Sequence, residues 1–294
     1  MAIKGAVLGD ILGAQYEFDR PRNLDWKNVA LVGGDAIGFT DDSVMALAVK
    51  KAIVEGAGGS GGSGAGGAAG ADGAAGAECG DGDRGCVSSE ALVKTMVAVG
   101  RKYPFCGYGG RFFKWINGDK HEPYNSWGNG SAMRVAFVGE FYEDYEEMQK
   151  MAEVTAAVSH DHPEGIKGAV VTATCIWMAR HGKSKQEIYD YVLEQYPKDD
   201  YEYSIAYSLD EIRPRYKWNE SCQESVPAAM RCFYESSDYE SFIRNVFSLK
   251  CDSDTFGAIA GGVAEEFYGG FGAIDADGLL KKYLTPELWE ILVE

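Results

Sequence analysis

Two short acidic runs carry the first chemical signal: Thr40-Asp41-Asp42-Ser43 and Asp252-Ser253-Asp254-Thr255, each directly before an apolar stretch with helical spacing. Asp, Ser and Thr suit a helix start because their side chains accept hydrogen bonds from the free N–H groups of the first turn. One such residue satisfies that need, and each run has carboxylates and hydroxyls in surplus. Surplus hard oxygen ligands suit Mg²⁺ or Ca²⁺, and the positive end of the helix dipole helps keep the carboxylates ionised. Taken singly, either run reads as a cap. The matched pair, far apart in the chain, keeps capping and cation binding as competing readings. An EF-hand is excluded: over Asp252 its fifth and twelfth positions are Phe256 and Val263, and over Asp81 its twelfth is Leu92, where oxygen donors are required.

Two glycine-rich turns are the second signal, Gly107-Tyr108-Gly109-Gly110 and Trp127-Gly128-Asn129-Gly130-Ser131-Ala132-Met133-Arg134. Glycines before a helix let backbone N–H groups approach a phosphate, with Ser131 able to cap and Arg134 able to add charge. Met133 stands where GxGxxG needs its last glycine and no GK[ST] follows, so neither a Rossmann nor a P-loop reading holds. In isolation both are also ordinary turns. His160 and His162, in Ser159-His160-Asp161-His162-Pro163, make a poor zinc site with no cysteine beside them, and serve either helix entry or ligand hydrogen bonding. Glu17, soon after Gly9-Asp10-Ile11-Leu12-Gly13, reads by itself as a surface glutamate.

The elements that must position these residues are helices. Val44, Leu47, Ala48 and Ala52 follow one stripe, as do Ile166, Ala169, Val170, Ala173 and Trp177, and Tyr239, Phe242, Val246 and Leu249 repeat the pattern. Pro163 and Pro227 are expected just inside helix starts. Strand-like alternation is scarce and no repeat of fixed period occurs, so the spacing predicts an all-α globule. Of the 30 residues from 56 to 85, 14 are glycine and none is aromatic or branched apolar, which predicts a flexible loop inserted between helices of one domain spanning 1–294.

With 294 residues and 46% hydrophobic side chains, the chain can bury a large core. Its net charge of −17 argues against nucleic-acid or anionic-membrane binding, and an anionic ligand would need locally supplied positive charge. Seven scattered cysteines without a CxxC pair fit a reducing cytoplasm. Asp10 interrupts the apolar start and no cleavage-site logic follows it, so those residues read as mature protein; no apolar run reaches the roughly 20 residues of a membrane span.

In chain order, GDILGAQYEF, GFTDDS, GYGGRF, YNSWGNGSAMR, SHDHPEG and CDSDT resemble the successive motifs of the ADP-ribosylglycohydrolase family, that of the dinitrogenase reductase-activating glycohydrolase. The resemblance spans residues 5 to about 269 outside the glycine-rich insert. It implies a compact orthogonal helical domain with a binuclear Mg²⁺ site, Mn²⁺ being a possible substitute. It also implies Mg²⁺-dependent hydrolysis of the bond between ADP-ribose and a protein side chain or small acceptor. The implied metal ligands are Thr40, Asp41, Asp42, Asp252, Asp254 and Thr255. Gly128, Asn129, Gly130, Ser131 and Met133 fall where the family contacts the diphosphate and distal ribose, with His160 and His162 nearby and Gly107, Tyr108 and Gly109 lining the same cleft. Glu17 is the implied proton-handling carboxylate, with Asp41 or Asp254 as alternatives. Lys250-Cys251 departs from the two glycines the family usually has before DxDT, where side chains would either crowd the metal cleft or, through Lys250, place a positive charge near the ions or the diphosphate.

Overall fold

The structure, a computed structural model, describes residues 1–33, 37–58 and 87–294. Fifteen α-helices run through the described residues: α1 (Ala2–Ala14), α2 (Asp41–Gly58), α3 (Ser89–Gly100), α4 (Gly110–Asn117), α5 (Gly130–Met133), α6 (Ala136–Phe141), α7 (Tyr145–Ala157), α8 (Pro163–Arg180), α9 (Lys185–Gln195), α10 (Leu209–Ile212), α11 (Cys222–Tyr234), α12 (Tyr239–Ser248), α13 (Ser253–Tyr268), α14 (Ala276–Tyr283) and α15 (Pro286–Val293). Among the described residues no strand forms, and the β-type pairing is one isolated antiparallel bridge between Gly128 and Ser221. The all-α expectation therefore holds. No helix among these residues is long and apolar enough to cross a membrane.

The centre of the molecule is the antiparallel pair α1 and α13. α1 is apolar on every side, and Ile3, Val7, Leu8, Ile11 and Leu12 are fully buried. Glycines at four-residue spacing let the two backbones touch. A Cβ on Gly9 would stand 2.1 Å from the Gly257 carbonyl oxygen, and one on Gly5 2.4 Å from that of Gly261, so nothing larger than hydrogen fits. Further up, Gly13 abuts Ser253, whose hydroxyl donates to the Gly13 carbonyl at 2.7 Å. Glu265 of α13 accepts from the Gly5 N–H at 2.6 Å, and the Tyr239 hydroxyl donates to the Gly5 carbonyl at 2.6 Å. This register sets the start of α13 against the end of α1.

Two local expectations need correction. Pro163 is at the first position of α8, as expected, but α11 begins at Cys222, so Pro227 lies in its second turn. It removes the hydrogen bond a residue there would donate to the carbonyl four positions back, and α11 continues because its apolar face is packed in the core. The glycine-rich stretch is helical as far as Gly58, since α2 propagates through Glu55-Gly56-Ala57 once formed. The loop expected over the remainder, residues 59–85, lies outside the described residues.

Candidate functional site

The end of α1 faces the starts of both α2 and α13, and there the two acidic runs meet. The cap of α2 comes from α1. Asp10 accepts from the Thr40 N–H (3.0 Å), the Ser43 N–H (3.0 Å), the Thr40 hydroxyl (2.8 Å) and the Ser43 hydroxyl. Its bonds leave the carboxylates of Asp41 and Asp42 free of capping duty. Asp252 occupies the N-cap position of α13 yet makes no side-chain capping bond. Its carboxylate instead accepts from the Asn129 amide at 2.8 Å. Thr255 donates to Asp42 at 3.3 Å, joining the two helix starts directly. Carboxylate oxygens of Glu17, Asp252 and Asp254 all lie within 4.8 Å of one another.

Negative charge is confined here without counter-charge. Burial pushes the Glu17 carboxyl up to about 9, with the Asp254 charge the next cause. Asp41 is pushed up to about 8 by burial and then by Asp10, and Asp252 to about 7 by burial against the opposing Asn129 bond. Asp42 and Asp254 sit well above the usual carboxylate range, through burial first and then the charges of Asp254 and Asp252 respectively. Asp42 Oδ1 and Asp254 Oδ1 are buried with no hydrogen-bond partner. Buried acceptors without donors, among carboxylates that repel one another, are the condition a divalent cation relieves. The donor set of carboxylates and a threonine hydroxyl fits Mg²⁺.

A cleft opens beside this cluster. Gly107, Gly109, Asn129, Gly130, Met133 and His160 line it together with Asp41, Asp42, Asp252, Asp254 and Thr255, and Glu17 joins their wall. Gly107 has φ of 112°, a conformation that favours glycine, and a Cβ there would press on Asp41 Oδ1 at 3.0 Å. A Cβ on Gly130 would come within 3.2 Å of His160 Nε2, which places the imidazole edge against the second turn. Arg134 donates to the Ser159 hydroxyl at 2.9 Å, and that hydroxyl lies 2.8 Å from His160 Nδ1. A hydroxyl already accepting from arginine has its proton free for Nδ1, which leaves the imidazole proton on Nε2. Burial, followed by the charges of Arg134 and Arg111, holds His160 well below the usual histidine range and so neutral.

Several residues marked in the sequence stand elsewhere. His162 is the N-cap of α8, its Nδ1 accepting from the Glu164 N–H at 3.1 Å, and its ring packs edge-on against Trp127 rather than in the cleft. Ser131 caps nothing: inside α5 it donates to the Gly165 carbonyl at 2.7 Å and fastens the second turn to α8. Arg134, by contrast, does line the cleft, although it is fully buried: its Nη2 donates to the Thr155 carbonyl (2.6 Å) and the Ser159 hydroxyl, while its Nη1 has no partner. Tyr108 turns toward Phe112 and the Gly100 carbonyl. Gly128 lines a neighbouring groove with Trp127 and Glu220. The expected crowding by Lys250-Cys251 does not occur. Cys251 is in the core near the Val246 carbonyl, and Lys250 is exposed outside the cleft.

Sequence reasoning passed over Asp10, although a lone carboxylate in a helix apolar on every side must have partners, and that was its signal. Glu220 at the cleft mouth, whose backbone carbonyl accepts from the Asn129 N–H at 2.7 Å, carried no signal in its surroundings.

An all-helical fold with an acid-lined, cation-suited cleft between two helix starts defines the class of this protein. The chain belongs to the ADP-ribosylglycohydrolase family, whose model matches residues 1–279. It is 24% identical over 328 residues to bovine ADP-ribosylhydrolase ARH3 (91% of this chain, 84% of the relative). It is 23% identical over 303 residues to a putative ADP-ribosyl glycohydrolase, L543, of Acanthamoeba polyphaga mimivirus (91% and 86%). The match to human ARH3, 26% identical over 184 residues, spans 49% of this chain and about half, 51%, of that protein. A solved structure described as an ADP-ribosylglycohydrolase-related protein complex shares the fold, with a TM-score of 0.68 at 22% identity over 99% of this chain and 93% of that one.

Proposed function

We propose that this protein is a Mg²⁺-dependent hydrolase that cleaves the N- or O-glycosidic bond between ADP-ribose and a modified protein side chain or small acceptor. The observation that carries the reading is the meeting of two acidic helix starts, with Asp42 Oδ1 and Asp254 Oδ1 buried and unpartnered, beside turns rich in glycine. Family membership and the names of the relatives support ADP-ribose as the substrate class.

Thr40, Asp41, Asp42, Asp252, Asp254 and Thr255 would hold two Mg²⁺ ions, with Mn²⁺ able to replace them. When bound, the ions supply Lewis acidity at the distal ribose and neutralise the carboxylates. Gly107, Gly109, Gly130 and Met133 shape the wall on which the ribose and diphosphate lie, and small residues there leave backbone within reach of the ligand. Asn129 holds Asp252 in place through its amide. His160 presents its Nε2 proton toward the second turn as an uncharged donor. Water adds its oxygen to the anomeric carbon as the bond to the acceptor nitrogen or oxygen breaks, and the proton lost by water replaces that bond on the acceptor. Glu17, which lines the cleft within reach of Asp252 and Asp254, would carry that proton, with Asp41 or Asp254 as alternatives.

The family resemblance along the chain supports one functional unit over residues 1–294, and the described cysteines, all free thiols, support a cytoplasmic location. The test is release of free ADP-ribose from arginine- and serine-ADP-ribosylated proteins, with Mg²⁺ and with EDTA. Release abolished by EDTA is expected. Binding of ADP-ribose without release would overturn hydrolysis and leave a non-catalytic binder.

A further inference from the structure

A second groove, of about 560 Å³, leaves the cleft past Glu17, within the roughly 300–1,000 Å³ typical of ligand clefts. It shares Glu17 and Phe18 with the cleft and none of its lining with the glycine turns. Arg20, Arg22 and Lys250 line it, and Glu17 is its one carboxylate, an inversion of sign in a chain of net charge −17. Arg20 is anchored by donating to the Phe247 carbonyl. Arg22 and Lys250 are exposed and make no ion pair among the described residues. Two aromatic rings complete the wall: Phe18, 77% exposed, and Trp218, 42% exposed, with centroids 6.2 Å apart. The two neighbouring rings make an apolar patch beside the basic side chains, the composition of an interaction surface.

A substrate with its ADP-ribose on the glycine turns and its scissile bond beside Glu17 has its acceptor on the opposite side, where this groove begins. Resting on the function proposed above, we infer that the groove receives the acceptor polypeptide. Acidic side chains flanking the modified residue pair there with Arg22 and Lys250, while the chain packs on Phe18 and Trp218. Paired charges on a groove rim raise the association rate and select among partners more than they add affinity, so the effect belongs in kcat/KM and weakens with salt.

The experiment uses peptides with one ADP-ribosylated residue, in the linkage the protein cleaves, flanked by Glu, Ser or Lys. For the wild type at low salt, kcat/KM is expected to fall about tenfold from Glu to Lys flanks, with Ser between and the spread narrowing as salt rises. Arg22→Glu with Lys250→Glu should invert this ranking, and Arg22→Gln with Lys250→Gln should flatten it. Neither change should alter hydrolysis of an ADP-ribosylated free amino acid or affinity for free ADP-ribose. No ranking in the wild type, or the same ranking in the reversed variant, overturns the inference. Loss of ADP-ribose affinity on reversal also overturns it, by placing the diphosphate in the groove. Binding of the same peptides is measured in parallel by fluorescence anisotropy. If no substrate is hydrolysed, the proposed function fails while the ranking of association rates, read from the anisotropy time course at low salt, still decides the groove.

Discussion

Gly9→Ala tests whether the backbone contact between α1 and α13 holds the site together. The added methyl would stand 2.1 Å from the Gly257 oxygen and 2.4 Å from its carbon, against 3.4 Å or more for ordinary contact, so the helices must separate by about 1 Å. The atoms it meets are backbone and cannot swing aside as a side chain can. Overpacking of this kind costs about 1–3 kcal/mol and a backbone clash lies at the upper end. Alanine's better helix propensity returns about 1 kcal/mol. A net loss of about 2 kcal/mol lowers the melting midpoint by about 4 °C in a chain of this size. The same shift moves Asp254, three residues before Gly257, relative to Asp42 on α2. A misplacement of about 1 Å costs about 10²-fold in turnover, and the Mg²⁺ concentration for half-maximal activity should rise with it. Thermal melts with and without EDTA, together with ADP-ribose release titrated with Mg²⁺, measure both effects. Gly110→Ala, where a Cβ meets nothing within 4 Å, is the control for the melt. A Gly9→Ala melt within 1 °C of wild type would refute the packing argument. A lowered melt with an unmoved Mg²⁺ titration would refute the coupling of packing to the site.

Asp254→Asn removes a carboxyl whose ionisation burial opposes, so in EDTA it should raise the melting midpoint by about 2–4 °C while abolishing Mg²⁺-dependent release; a lowered midpoint with retained release would contradict both parts. Glu17→Gln should cut ADP-ribose release by about 10²–10⁴ with ADP-ribose affinity kept, and wild-type turnover would move the proton to another carboxylate. His160 resists protonation when folded, whereas the unfolded chain takes up a proton near its ordinary value of 6.5. Its contribution to stability is therefore present above that pH and lost as pH falls below it, by up to about 1.4 kcal/mol per pH unit. His160→Asn should flatten the stability profile between about pH 6.5 and 5, as read by urea unfolding, and an unchanged slope would show that the imidazole is not held neutral.

The helices of this protein were legible because their signals are local: apolar stripes at helical spacing, Pro163 at a helix start and oxygen-bearing residues before others. The two acidic runs were legible for the same reason, as a surplus over what capping needs. What the sequence could not convey was which residue does the capping, since that depends on tertiary contact. Asp10 reaches α2 from α1 across 30 positions in the chain, and with the α2 start served from outside, Asp41 and Asp42 are released. His162 and Ser131 show the opposite, being polar residues in the motifs whose bonds are taken up by the protein itself, His162 locally at the start of α8 and Ser131 across 34 positions on the Gly165 carbonyl. The glycines of GDILGA carry the remaining lesson. Gly5, Gly9 and Gly13 recur every four residues on α1, and Gly257 and Gly261 do so on α13, so the spacing was visible while the pairing was not. That pairing explains how the charges can gather. Two helix starts, each a partial positive charge, meet at the end of α1: that of α13 through a contact only glycine permits, and that of α2 through the Asp10 cap. Carboxylates collect there in numbers beyond what the helix N–H groups can satisfy, and the excess is what a pair of divalent cations would complete.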